Sequence, residues 1–142
     1  MKIGIFDSGL GGLIIARAIR KMMPKYDYVY FGDTKRVPYG NKSREAVSRF
    51  TKEAVDYLFR KKNCAIVIIA CNTACARALR DIQQKYLRKN FKNRNKIENL
   101  PNGFILNNFP ATKDDLGTFN KYLTEKNLNV YRIIVMSSPR FK

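Results

Sequence analysis

Residues 65–70, Ala-Ile-Val-Ile-Ile-Ala, form an apolar run in which four β-branched residues follow one another with no polar alternation. A strand of that composition is buried on both faces, the pattern of a parallel sheet with helices above and below it. The run ends at Cys71-Asn72-Thr73, where a thiol, an amide and a hydroxyl arrive together. A helix-like pattern follows. In open α/β sheets, ligands sit beyond the carboxyl ends of the strands. Cys71 therefore stands where a proton-transfer thiol is useful. The competing reading is a small buried hydrophobe, the commoner fate of a free cysteine.

The 142 residues suit one domain of ordinary size. The longest apolar stretch, Cys64 to Cys71, is far below the roughly 20 residues that span a bilayer. Met1 to Asp7 lacks the apolar core of a signal peptide. Three cysteines with no pairable spacing read as reduced thiols, so a cytoplasmic protein without a membrane partner is expected. The chain has no histidine. That removes Ser-His-Asp and Cys-His catalysis and most zinc chemistry, and no metal is expected. A formal charge of +17 invites a nucleic-acid partner. The basic residues are nevertheless interleaved with core positions, and no run of five occurs. A solvated basic surface is the expectation, without a specific nucleic-acid site.

Lys2 to Phe6 reads as a first strand, followed by Asp7-Ser8-Gly9-Leu10-Gly11-Gly12. A glycine-rich turn there allows backbone amides to approach a bound anion, although a tight strand-to-helix turn explains it as well. An acid at the end of a first strand, Asp7, is placed to orient a group or accept a proton. Leu13 to Met23 has helical spacing and stops at Pro24. Tyr28 to Phe31 is the second strand. The loop after it turns at Pro38-Tyr39-Gly40, where amides and the Tyr39 hydroxyl are offered to a ligand. Ser43 caps a helix running to about Lys62, with Phe50 counted as core stripe. Thr73 to about Lys89 is a third helix with Ala76, Leu79, Ile82 and Tyr86 inward. Cys75 falls in its first turn, either favoured as a thiolate or, more simply, packing. The alternation β-α-β-α-β-α predicts a parallel three-layer α/β/α sheet.

Three blocks, Ile3 to Gly12 (I-G-I-F-D-S-G-L-G-G), Tyr30 to Gly40 (Y-F-G-D-T-K-R-V-P-Y-G) and Ala70 to Ala74 (A-C-N-T-A), resemble the signature blocks of glutamate racemase, in the same order. The resemblance implies a cofactor-independent isomerase that interconverts L- and D-glutamate for peptidoglycan precursors, and so serves cell-wall biogenesis and cell shape. It implies that Cys71 is one of two cysteines that take and return the α-proton from opposite faces, with Asp7 assisting. It further implies that Asp7, Ser8, Pro38, Tyr39, Gly40, Asn72 and Thr73 bind the substrate. The family's second-half block, Gly-Cys-Thr-His, is absent here. Cys64, at the far end of the same strand, lies roughly 23 Å from Cys71 by strand rise and cannot oppose it. A truncated chain is therefore expected, and a homodimer offering a second Cys71 is one way to restore two bases. A non-catalytic remnant or ligand-binding fragment is the alternative.

These blocks place the racemase-like domain at residues 1–90. Residues 91–101, within a lysine- and asparagine-rich stretch, read as a linker. Residues 102–138 resemble a segment of adenylate kinase, but Asn107, Asn108 and Ala111 stand where that family carries aspartate, glycine and arginine, and the G-x-x-x-x-G-K loop is missing. Residues 102–142 are expected either to sit loosely, as a joined fragment, or to extend the sheet with a short βαβ-like tail that shares Phe104, Phe109, Leu123 and Ile134 with the core.

Overall fold

The computed structural model describes residues 1–87, 104–107, 121 and 133–136. Its described strands and α-helices are β1 (Lys2–Asp7), α1 (Leu13–Met22), β2 (Asp27–Gly32), α2 (Arg44–Arg60), β3 (Ile66–Ile69), α3 (Asn72–Leu87), β4 (Phe104–Asn107) and β5 (Ile133–Met136), with two short 3-10 turns, Thr34–Arg36 and Tyr39–Asn41, between β2 and α2. All five strands belong to one sheet in the order β2-β1-β3-β5-β4, and every neighbouring pair is parallel. The order places β1 and β3 inside, so their carboxyl ends, at Asp7 and Cys71, emerge side by side.

Side-chain alternation divides the core into two layers. Ile3, Ile5, Ile66 and Ile68 face α1, where Ile15, Ile19 and Met23 cover them. Phe6, Val67 and Ile69 face the other way, onto Val47, Val55 and Leu58 of α2 and Ala74, Ala78 and Ile82 of α3. Helices therefore cover both faces, as the continuous apolar strands require. Gly4 admits α2 to this sheet: a Cβ there would meet both Leu58 methyls and the Cys64 sulfur at 3.1 Å.

Helix boundaries follow local chemistry. Ser43 caps α2 by accepting the Ala46 N–H at 3.2 Å. The α1 helix ends just before Pro24, which is free to follow but not to continue it. Helix α3 begins one residue earlier than the expected Thr73, and its inward face is Ala74, Ala78 and Ile82. Ala76, expected inward, is exposed, because two residues from both Ala74 and Ala78 it falls on the opposite side of the helix. Two hydrogen-bonded side-chain pairs, Ser48 with Asp81 and Lys85 with Asp56, tie α2 to α3. The Ser48 hydroxyl holds the Asp81 carboxyl below the usual carboxylate range.

Strand β5 pairs with β3, setting Val67 opposite Ile134 and Ile69 opposite Met136, and β4 pairs with β5. The linker at 91–101, and Phe109 and Leu123, lie outside the described residues, as does the side chain of Tyr86. Among the described residues, no helix is long and apolar enough to cross a membrane.

Candidate active site

Cys71 follows β3 and immediately precedes α3. Its carbonyl accepts the Cys75 N–H at 2.9 Å, and its sulfur receives the Ala74 N–H at 3.5 Å. The thiol thus caps α3 from the N-terminal side, where unsatisfied amides and the helix dipole favour a negative charge. On its other side the thiol donates to the Ser8 hydroxyl at 3.2 Å. Cys71 is 4% exposed, so a thiolate formed there is shielded from water but not isolated from donors.

The dipole serves Cys71 and not Cys75. Cys75 turns its sulfur back to the Ile69 carbonyl at 3.3 Å, and burial, with the neighbouring Cys71 charge, pushes its pKa up to about 12. Cys64 is buried at the start of β3, and burial raises its pKa as well. Both read as packing thiols.

Asp7 organises the glycine-rich loop. Its Oδ2 accepts the Gly9 N–H at 3.2 Å, the Gly12 N–H at 2.9 Å and the Tyr30 hydroxyl at 3.4 Å. The anion held by this turn is therefore the chain's own carboxylate, and those two amides are already engaged. All three donors meet one oxygen, leaving Oδ1 for contacts outside the network. The arrangement needs glycine at two points of close approach. A Cβ on Gly12 would lie 2.8 Å from the Asp7 Cβ, and one on Gly32 would lie 2.6 Å from the Gly9 carbonyl oxygen. Tyr30, which the sequence reading did not single out, also donates to the Gly9 carbonyl at 2.9 Å. Burial, and then the Asp7 charge and hydrogen bond, raise its pKa.

The second loop carries Pro38, Tyr39 and Gly40. Pro38 and Gly40 are exposed, but Tyr39 is 2% exposed. Its hydroxyl, offered to a ligand by the sequence reading, instead donates to Asp33 at 2.6 Å. The reason is burial: the ring packs against Phe6 and Phe50, at centroid distances of 6.3 and 5.9 Å, and a buried phenol needs an acceptor. Burial and the Asp33 hydrogen bond raise the Tyr39 pKa. Asp33 also receives Arg36 Nε at 2.6 Å, and the guanidinium lies 4.2 Å from the centre of the Phe50 ring. Phe50 is thus a floor for the loop as well as a core residue. Asp33 was missed because a single acid after a strand reads as turn chemistry. The available signal was its likeness to Asp7, since Asp7 closes β1 and Asp33 directly follows β2; the Asp33 N–H bonds the Asp7 carbonyl at 3.0 Å.

The structure brings Ser8 and Cys71 into contact and sets Asp7 next to Ser8 in the chain. Asn72 is exposed and Thr73 half-buried in the first turn of α3. The loop of Pro38 and Gly40 stands on Tyr39, whose ring touches Phe6 beneath the site.

Fold and site define a parallel α/β protein with a helix-capping thiol at the carboxyl edge of its central strands. No protein-family model matches the chain. In sequence it is similar to the glutamate racemase of Aquifex aeolicus (strain VF5), 48% identical over 86 residues, covering 61% of this chain and 34% of that protein. Glutamate racemase 3 of Caldanaerobacter subterraneus subsp. tengcongensis is 51% identical over 74 residues, covering 52% and 27%. In structure, the chain is similar to glutamate racemase from Aquifex pyrophilus, with TM-score 0.56, 35% identity, and coverage of 99% of this chain and 56% of that one. The glutamate racemase of Francisella tularensis subsp. tularensis SCHU S4 in complex with D-glutamate gives TM-score 0.54 at 30% identity, covering 94% and 51%. The chain thus spans roughly a quarter to a third of the length of these curated relatives and about half of the solved ones. These matches give the adenylate kinase likeness of residues 102–138 no support.

Proposed function

We propose that the chain carries one thiol half of a glutamate racemase-type site, with Cys71 exchanging the α-proton of glutamate on one face. The observation that carries this reading is Cys71 itself, held between the Ala74 N–H and the Ser8 hydroxyl at the start of α3. The α-proton of an amino acid is weakly acidic, so its base must be close, oriented and desolvated. A buried sulfur fixed at a helix cap is close, oriented and desolvated. Asp7, through Oδ1, assists the proton transfer. Ser8, Asn72, Thr73 and the Pro38–Gly40 loop hold the substrate's carboxylates and amine, stabilising charge as it spreads onto the α-carboxylate. The similarity to glutamate racemases supports glutamate as the substrate, and no cofactor enters this proposed chemistry.

The unit carrying this chemistry is residues 1–90, with residues 102–142 adding β4 and β5 to the same sheet. We place it in the cytoplasm, where D-glutamate supply for peptidoglycan would use it and where its thiols stay reduced. Inversion needs a second proton donor on the opposite face. Cys64 and Cys75 are the chain's other cysteines, and both are turned into the core. The second thiol therefore comes from polypeptide outside these 142 residues, a second copy in a homodimer included. Alkylation of Cys71 by iodoacetamide, followed by mass spectrometry, tests the reading. Glutamate should slow the reaction and alanine should not; equal rates with and without glutamate would overturn the assignment.

A further inference from the structure

The loop carrying Pro38 and Gly40 is gripped from two sides. From below, Tyr39 is fixed to Asp33. From the side, Arg77 of α3 reaches across and donates to the Gly40 carbonyl at 3.2 Å and to the Lys42 carbonyl. These two carbonyls flank the end of the short 3-10 turn Tyr39–Asn41, which closes through the Lys42 N–H to the Tyr39 carbonyl at 3.1 Å. The same helix begins directly after Cys71. Arg77 therefore joins the two pieces of the site that the sheet alone leaves independent: a loop following β2 and a thiol following β3.

We propose that Arg77 is a positioning residue that sets the Pro38–Lys42 loop in register with the Cys71 thiol. Guanidinium suits the task because its planar fork orients two acceptors at once, whereas an ammonium is a single point donor on a flexible stem. Register matters because displacement by about 1 Å of a group that holds the reacting molecule can cost about 100-fold in rate. The ligand-binding consequence rests on the racemase-type reading; the mechanical linkage does not.

The experiment separates the two. Amide hydrogen exchange is compared in the wild-type chain, Arg77→Ala and Arg77→Lys without any ligand, alongside thermal unfolding. Exchange at the Lys42 amide should rise by about tenfold or more in Arg77→Ala, with a smaller rise in Arg77→Lys. The amides of Ala74 and Cys75, which report the α3 cap, should be unchanged. Unchanged exchange at Lys42 would overturn the proposal, as would equal loosening of the loop and the α3 cap, since Arg77 would then merely hold the helix. If Arg77→Ala does not fold, Arg77→Lys carries the comparison alone. Iodoacetamide alkylation then reads the consequence for binding. The Cys71 rate without glutamate should match wild type, while half-protection by glutamate should require about tenfold more of it in Arg77→Ala. An unshifted half-protection point overturns the positioning role. Absence of protection in the wild type would sink the glutamate reading and leave the hydrogen-exchange result to decide the role of Arg77.

Discussion

Tyr39 donates its hydroxyl to Asp33 at 2.6 Å, inside the fold, beneath a loop whose neighbouring residues Pro38 and Gly40 are exposed. The residue of the Pro-Tyr-Gly corner with the most functional group to offer thus supports the loop from within. Replacing Tyr39 with Phe removes the donor while keeping the ring. The expected cost is about 1–3 kcal/mol, because Asp33 is left buried with one partner fewer. Urea unfolding of Tyr39→Phe measures it; wild-type stability would contradict the supporting role.

The same phenol, with Tyr28 and Tyr30, sets an alkaline limit. Burial raises Tyr28 to about 12, and burial leads the rise of Tyr30 and Tyr39 as well. A group whose folded pKa is raised contributes stability that is complete below the unfolded value, about 10 for tyrosine, and is lost as pH rises toward the folded one. The urea midpoint should therefore fall as pH rises from about 10, and fall less steeply in Tyr28→Phe. Equal slopes would contradict the sign.

Thiol reactivity should separate the three cysteines. Cys75 is pushed up to about 12, and burial raises Cys64 as well, so both are poorer nucleophiles than an ordinary thiol. Alkylation should fall on Cys71, even though it too is buried, because only it sits at the helix cap. Mapping by tandem mass spectrometry decides the matter. Faster labelling of Cys75 would contradict the assignment of the dipole to Cys71.

Gly12→Ala should disturb Asp7. The added Cβ would stand 2.8 Å from the Asp7 Cβ, backbone-anchored on both sides, so the loop must shift. Overpacking of this kind typically costs about 1–3 kcal/mol. The expected result is lower stability together with altered glutamate protection of Cys71. Gly40→Ala is the control for stability alone, since nothing lies within 4 Å of a Cβ there.

Most of the frame was legible from local pattern. The β-branched run at 66–69 announced a doubly buried strand, Pro24 ended α1, and Ser43 capped α2. The location of the thiol at the carboxyl edge followed from the strand rule alone. Three features were not legible, because each depends on contacts distant in sequence. The Asp7 carboxylate occupies the anion-binding turn, which cannot be read from glycine spacing. Tyr39 faces Asp33 only because Phe6 and Phe50 surround its ring. A βαβ-like tail extending the sheet was one of two expectations for 102–142, but the position of β5 beside β3, with β4 outermost, is a property of the assembled sheet.

The most direct test of the central claim is proton exchange at the α-carbon of L- and D-glutamate in heavy water, followed by NMR, with Cys71→Ala as control. The account predicts deuterium incorporation by the wild-type chain that disappears in the control. Retention of configuration is expected where Cys71 acts alone, and inversion where a second copy supplies the opposite thiol. Absence of exchange with either enantiomer, or exchange that persists in Cys71→Ala, would contradict the claim that Cys71 moves the proton.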